Sequence, residues 1–205
     1  MVRKKNGSAD TRTRLLDATL MLISEKGYLG ATTREIASRA GVTEITLFRH
    51  FGSKEKLFEE VLRTYTFLPK LKELLPELEE KTYEDALTTV GLKLYETLGE
   101  RKYMVKIMLS EMNVYPEKVR NVYKKFIDEL IGTLAGYLHR LHKMGEIRKF
   151  NPRIGARSFL GVIFSYFQAE EIIRSRTVPR REVKRFVREF VGIFVSGTRQ
   201  MKGGR

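Results

Sequence analysis

The chain has 205 residues, 42% of them hydrophobic, and 39 Lys and Arg against 25 Asp and Glu give a net charge of +14. That length and apolar content suffice to bury a sizeable core, while the absence of cysteine excludes disulfides, thiol nucleophiles and Cys-based metal sites. No apolar run approaches the ~20 residues of a membrane helix, and the start Met1 to Ser8 lacks a secretory signal's apolar stretch, so a cytoplasmic protein with no membrane contact and a polyanionic partner is expected.

Residues 1–9 read as a basic, flexible arm carrying Arg3, Lys4 and Lys5. A helix follows from about Asp10 to Lys26, with Leu15, Leu16, Thr19, Leu22 and Ile23 on one side and Gly27 as its stop. Thr32 and Glu35 stand three apart as a capping box that opens a short helix, which Gly41 ends. Ile36, Ala37 and Ala40 form its inner stripe, leaving Arg34, Ser38 and Arg39 outside. Thr43 restarts the chain as an N-cap, Leu47, Phe48 and Phe51 give the next helix an apolar side, and Gly52-Ser53 closes it and caps a third. Two short helices joined by a glycine turn form a helix-turn-helix, whose second member lies in the DNA major groove. An ordinary helical hairpin would share the pattern, but His50 and Lys54 just after the second helix are phosphate-gripping types where backbone contacts are needed.

Beyond Ser53 a helix carries Leu57, Phe58, Val61, Leu62 and Tyr65 inward, and Pro69 and Pro76 should break or kink the stretch that follows. Further helices are predicted at about 82–98, 101–113, 116–143, 151–176 and 179–200, started by Pro116, Asn151-Pro152 and Pro179 and stopped near Gly99, Gly145 and Gly197. Nothing alternates with a strand's period of two, so the chain is expected to be all-α. His139 and His142 share a helix face without a further partner at matching spacing, and neither a metal site nor a cofactor is expected. With no nucleophile-base motif and no Gly-rich phosphate loop, an enzyme is not expected.

The last two helices carry more bulky apolar surface than two helices hide alone. Phe159, Ile163 and Phe167 in one, and Phe186, Phe190 and Phe194 in the other, are predicted to build a homodimer interface, with closure of the monomer's own core as the alternative. Gly161, Ser165 and Ala169 form a small-residue row that admits another helix. Residues 174–205 hold ten basic and two acidic residues, net +8, which reads either as a solvated face with a basic tail, Lys202 to Arg205, or as a surface for an anion.

Residues from about 10 to 58 resemble the N-terminal domain of the tetracycline-repressor (TetR) family of bacterial transcription regulators. The matching stretches are Leu15-Leu16-Asp17-Ala18, Glu25-Lys26-Gly27-Tyr28, Thr32 to Ala37, Gly41-Val42-Thr43, Thr46 to Phe51 and Ser53 to Leu57. The resemblance implies an N-terminal three-helix DNA-binding domain over 10–56, and a larger helical domain over 57–205 that binds a ligand and dimerises. It places base contacts at Thr43, Glu44, Ile45 and Thr46, and phosphate contacts at Thr33, His50 and Lys54. Chemically, Glu44 could accept from cytosine N4 or repel DNA lacking that donor, Ile45 or a threonine methyl could pack on thymine, and Arg34 could reach guanine O6 and N7 or a phosphate.

Two residues depart from the family pattern. Phe48 stands where a tyrosine hydroxyl normally grips phosphate, and Arg49 stands where an aromatic is usual. Arg49 is counted with the base-reading side chains and could instead restore the lost backbone contact. The resemblance also implies an effector pocket between about 60 and 175, for which Met104, Met108, Met112, Phe126, Leu130 and Phe164 are the candidates, though a methionine stripe at i, i+4 and i+8 also suits plain core. The expected function is therefore a ligand-responsive regulator, most simply a repressor. It would bind palindromic double-stranded DNA as a homodimer and be released by a small apolar or amphipathic effector. The alternative is a non-specific basic helical nucleic-acid-binding protein.

Overall fold

A computed structural model describes residues 3–200, so Met1, Val2 and the tail Met201 to Arg205 lie outside the described residues. Ten α-helices and one π-helical segment account for the described chain, and the one β pairing among those residues is an isolated bridge between Ile147 and Arg199. Contacts divide the chain into two units, Met1–Tyr65 with Arg101–Phe126, and Thr66–Glu100 with Ile127–Arg205. The first takes in residues 57–65 and 101–126, which the sequence assigned to the regulatory domain; helices with apolar stripes go where they can bury them, and the stripe after Ser53 belongs to the N-terminal core.

In the first unit, α1 (Arg3–Gly30) begins where the flexible arm was expected and is broken at Gly27, whose φ of 77° and ψ of 174° only glycine tolerates. α2 (Thr33–Arg39) is capped as expected: the Glu35 amide donates to Thr32 Oγ1 at 3.2 Å and the Thr32 amide to Glu35 Oε2 at 3.3 Å. Gly41 turns the chain at φ 67°, and Thr43 then caps α3 (Glu44–Phe51), its Oγ1 accepting from the Thr46 amide at 3.3 Å. Gly52 (φ 78°) ends α3 and α4 (Lys54–Tyr65) follows at once. The core formed by these helices and α7 (Lys102–Glu111) includes Leu15, Ile36, Leu47, Leu57, Phe58 and Val61 at 0% exposure. Burying each such side chain contributes about 1.5–3 kcal/mol.

Ion pairs tie α1 to the short helices: Lys26 to Glu35 at 2.6 Å and Arg39 to Glu25 at 2.7 Å. Glu35, bonded by Lys26 first and by Thr32 second, has its pKa drawn from 4.5 to about 2. A carboxyl with a lowered folded-state pKa stabilises above its unfolded pKa and loses that contribution as pH falls through the folded value. Acid titration should therefore weaken the fold between about pH 4.5 and pH 2, and Glu35→Gln should flatten that limb of a denaturation-versus-pH curve.

In the second unit, Thr66 caps α5 (Phe67–Glu79), with Pro69 in its first turn, where a missing amide costs nothing. Pro76, where a break or kink was expected, does not break the helix; it sits inside α5, beyond which the chain turns at Glu80. α6 (Tyr83–Glu100) packs against α9 (Pro152–Phe167) and α10 (Arg180–Thr198). Gly91 marks their closest approach, since a Cβ there would lie 2.9 Å from Val187 Cγ1 and 3.5 Å from Ile163 Cδ1. α8 (Glu117–Lys143) ends just before Gly145, at φ 76°, whereas Gly99 and Gly197 lie within the last turns of α6 and α10. α9 is capped by Asn151, which accepts from the Arg153 and Ile154 amides.

The helix predicted to 176 continues beyond Phe167 as a π-helical turn, Gln168–Ile173. Its carboxylates Glu170 and Glu171, each 7% exposed, are satisfied by the link that follows: Arg174 and Arg176 bond Glu170, and the Val178 amide donates to Glu171 at 2.9 Å.

Candidate nucleic-acid interface

Helix α3 has two unlike sides. Leu47 (0% exposed) and Phe51 (6%) enter the core, while Ile45 at 82% and Phe48 at 43% stand out of it, with Arg49 exposed one residue further on. Ile45, Phe48 and Arg49, at i, i+3 and i+4, make one outward ridge. An outward helix face that carries two large apolar groups and a cation suits thymine methyls and phosphates better than it suits water. Thr43 is exposed, and its hydroxyl lies 3.0 Å from that of half-buried Thr46.

Arg34, on α2, is exposed, and neither it nor Arg49 has an ion pair or hydrogen bond to any described residue. Four other basic residues of this unit are committed. Lys26 and Arg39 are paired as above, Arg12 pairs with Glu60 at 2.6 Å and covers the Phe51 ring at 5.1 Å, and Arg14 donates to the Ala40 carbonyl at 2.9 Å. Arg12 and Arg14 hold the end of α2 and the end of α3 to α1, a positioning role that the sequence did not disclose. The only cue was their spacing on α1, with Asp10 one turn before Arg14.

Three predicted contacts are already engaged within the unit. The Thr33 hydroxyl donates to Glu44 Oε1 at 2.5 Å, so Thr33 has no hydroxyl proton left for a phosphate and Glu44 holds an accepted bond while unbound. Lys54 Nζ donates to the Tyr28 carbonyl at 2.5 Å and lies 4.2 Å from the centre of the Tyr28 ring, and burial pushes its pKa below the usual lysine value. Two of its three donor protons remain. His50 is half-buried beside Phe51, the ring centres 6.3 Å apart.

A family model for bacterial regulatory proteins of the tetR family matches residues 15–61, and one for the C-terminal domain of AefR-like transcriptional repressors matches residues 85–197. The chain belongs to the TetR family of transcriptional regulators. Among proteins similar to this TetR-family chain, the uncharacterized HTH-type transcriptional regulator YvkB of Bacillus subtilis (strain 168) is 31% identical over 189 residues, 91% of this chain and 96% of that protein. The HTH-type transcriptional repressor KstR2 of Rhodococcus jostii (strain RHA1) is 32% identical over 110 residues, 52% of each chain.

Solved structures share the fold. A TetR-family regulator from Syntrophomonas wolfei str. Goettingen superposes with a TM-score of 0.78 at 20% identity, covering 92% of this chain and 96% of that one. FadR of Bacillus subtilis, solved in complex with stearoyl-CoA, gives 0.68 at 19% identity over 90% and 98%. The regulator is thus all-helical, with an N-terminal helix-turn-helix that binds DNA and a helical C-terminal domain, and no helix among the described residues is long and apolar enough to cross a membrane.

Two groups of predicted residues are corrected by burial. Met104 (3% exposed) and Met108 (5%) pack into the core of the first unit, which is the plain-core alternative that their spacing also allowed. Met112 and Phe126 are half-buried in the same unit, and in the second unit Leu130 is buried at 8% and Phe164 half-buried. Phe159, Ile163 and Phe167, predicted to meet a partner subunit, are each 0% exposed inside the second unit, because α6 packs on that side of α9 and the α10 rings Phe190 and Phe194 lie against Phe159. Phe186, Phe190 and Phe194 are half-buried and share rings with it: Phe186 stacks on Tyr166 at 3.7 Å, and Phe190 and Phe194 each lie 5.4 Å from Phe159.

Proposed function

We propose that this TetR-family chain is a repressor that binds a palindromic operator as a homodimer and is released by a small amphipathic effector. The observation that carries the DNA side is the outward ridge of Ile45, Phe48 and Arg49 beside unpaired Arg34, on a helix whose other side is fully buried. Arg34 reads a guanine, Thr43, Glu44, Ile45 and Thr46 read neighbouring bases, and Arg49 supplies the backbone charge that Phe48 cannot. His50 and Lys54 hold phosphates, while Thr33 acts through Glu44, orienting its carboxylate.

The dimer reading rests on what α9 and α10 leave uncovered. On α9, Ser158, Gly161, Val162 and Ser165 are exposed, and a Cβ at Gly161 would meet nothing within 4 Å. On α10, Ile193 is 73% exposed beside half-buried Phe186 and Phe190. A small-residue row next to protruding apolar groups is a surface into which a second copy's helices pack closely. A two-fold dimer would set two reading helices about 34 Å apart, or a multiple of it, on DNA.

For the effector we keep Leu130 and Phe164 as lining residues of the second unit. The stearoyl-CoA held by the fold neighbour FadR supports an amphipathic, acyl-bearing molecule.

Selection of bound duplexes from a random pool tests the reading. An enriched palindrome, preferred over random DNA by ~10³-fold or more, is the expected result, and acyl-CoA thioesters should release it. Arg34→Ala should relax preference at one symmetric base position at a cost of about 1–3 kcal/mol; equal loss on selected and random duplexes would remove Arg34 from base reading. A pool that yields no preferred sequence would favour the non-specific alternative, which the net charge of +14 also fits.

A further inference from the structure

The C-terminal charge excess is not spread evenly. Arg174 and Arg176 are neutralised by Glu170 and Glu182, at 2.6 to 2.9 Å. Along α10, by contrast, Arg180, Arg181, Lys184, Arg185 and Arg188 line one exposed surface with Glu189 at its end. Arg180 has a single loose pair, 3.7 Å from Glu96, and its side chain is 80% exposed. Arg181, Lys184, Arg185 and Arg188 have no ion pair or hydrogen bond to any described residue.

This placement is unfavourable to the free protein on two counts. Arg180 and Arg181 open the helix, where its dipole disfavours cations, and Pro179 offers no side-chain cap. Three like-charge pairs, 180 with 184, 181 with 185 and 184 with 188, stand one turn apart and repel. Within the second unit Glu96 lies 3.7 Å from Arg180, and Glu182, already paired with Arg176, attracts Arg185; these offset the two costs only in part, whereas a polyanion would offset both.

We propose that this face of α10 is a second, sequence-independent contact for the phosphate backbone of duplex DNA. Four of the five cations are arginines, whose planar forks bind phosphate oxygens in pairs. The stripe is about 12 Å long at 1.5 Å per residue, and duplex DNA presents one negative charge per ~1.7 Å of axis. A membrane surface fits less well. The apolar residues next to the stripe, Val183, Val187 and Val191, are buried at 6%, 0% and 0%, and the exposed Ile193 lies on the far side of them with Phe186 and Phe190, so no free apolar face borders the cations to sink among lipids with them. The stripe also stays open in the proposed dimer: it lies roughly a quarter-turn to one side of the buried valines, and Phe186, Phe190 and Ile193 lie a similar angle to the other. A regulator with this second grip would hold flanking or neighbouring DNA whatever its sequence.

The test compares the full-length protein with Arg181→Ala/Lys184→Ala/Arg185→Ala/Arg188→Ala and with a charge-matched control, Lys124→Ala/Lys125→Ala/Lys143→Ala/Lys149→Ala, all exposed positions. Affinity for a random-sequence duplex is titrated against salt. The α10 variant should lose about 3–4 units of the slope of log K against log salt, at ~0.9 per phosphate contact, and its melting temperature should hold or rise. The control should lose less than one unit. Equal changes in the two variants would overturn the proposal, as would an unchanged slope, or binding to phosphatidylglycerol vesicles that depends on the stripe while duplex binding does not. The inference goes beyond the operator reading and fails separately from it, because Arg34→Ala alters sequence preference, whereas the α10 variant is scored on random DNA alone.

Discussion

Replacing Phe58 with alanine is expected to cost about 3–5 kcal/mol of stability and to abolish DNA binding at temperatures where the parent is fully active. Phe58 is 0% exposed, and its ring centre lies 5.0 Å from that of Tyr28, in the core that α1, α3 and α4 share. Domains of this size hold only about 5–15 kcal/mol in all, so a cavity of that size takes a large share of the reserve that keeps α3 in place. The contrasting substitution is Phe48→Ala. Phe48 is 43% exposed on the outward ridge, so its loss should shift stability by less than about 0.5 kcal/mol while reducing operator affinity. Denaturant unfolding monitored by circular dichroism, paired with DNA titration on the same samples, separates the two effects. If Phe48→Ala unfolded the unit as readily as Phe58→Ala, α3 would not present that side to DNA.

The elements set by local chemistry were legible in the sequence. Thr32 with Glu35, Gly41, Thr43 and Gly52 each act within a few residues along the chain, and the structure finds the caps and turns where those residues stand. What sequence periodicity does not carry is which partner buries a stripe. The apolar positions of α7 and α9 were plain, but Met104 and Met108 face the N-terminal core, and Phe159, Ile163 and Phe167 face α6 and α10. Amphipathic spacing names a buried side without naming what covers it, and an interface and a core look alike in one dimension. Charges misled for a related reason. Thr33 with Glu44, and Lys54 with the Tyr28 carbonyl, are pairings across 11 and 26 residues that no short window shows. Of the break or kink expected at Pro76, the break does not occur, because tertiary packing of Leu71 and Leu78, both 0% exposed, keeps α5 helical across a residue that would break an isolated peptide.

Gly27→Ala is the substitution expected to disturb the first unit most for its size. At φ 77° and ψ 174° the backbone occupies a region that is essentially reserved for glycine. The space a side chain would need is also taken, since a Cβ would fall 2.0 Å from Glu111 Oε1. That carboxylate is there for a reason: its other oxygen accepts from the Tyr28 amide at 2.8 Å, tying α7 to the turn that leads into α2. The strain costs about 1–3 kcal/mol and the overpacking about 1–3 kcal/mol more, so the variant should lose roughly 2–6 kcal/mol. Placing the same change in a Glu111→Ala background removes the collision and leaves the strain, so Gly27→Ala should cost only about 1–3 kcal/mol there. Glu111→Ala alone should cost about 1–3 kcal/mol, for the bond lost by the Tyr28 amide. The cycle thus predicts a coupling between the two positions equal to the overpacking removed, about 1–3 kcal/mol, measured by denaturant unfolding of the four proteins. Residue 111 also falls in the stretch matched by the C-terminal repressor model, while Gly27 lies in the N-terminal match. Glu111 is therefore a tie from the sequence matched by the C-terminal model to the helix-turn-helix, and its alanine variant should bind DNA more weakly at temperatures well below its melting point. Equal cost of Gly27→Ala in both backgrounds would mean that the carboxylate does not occupy that space in solution, and the tie would be lost with it.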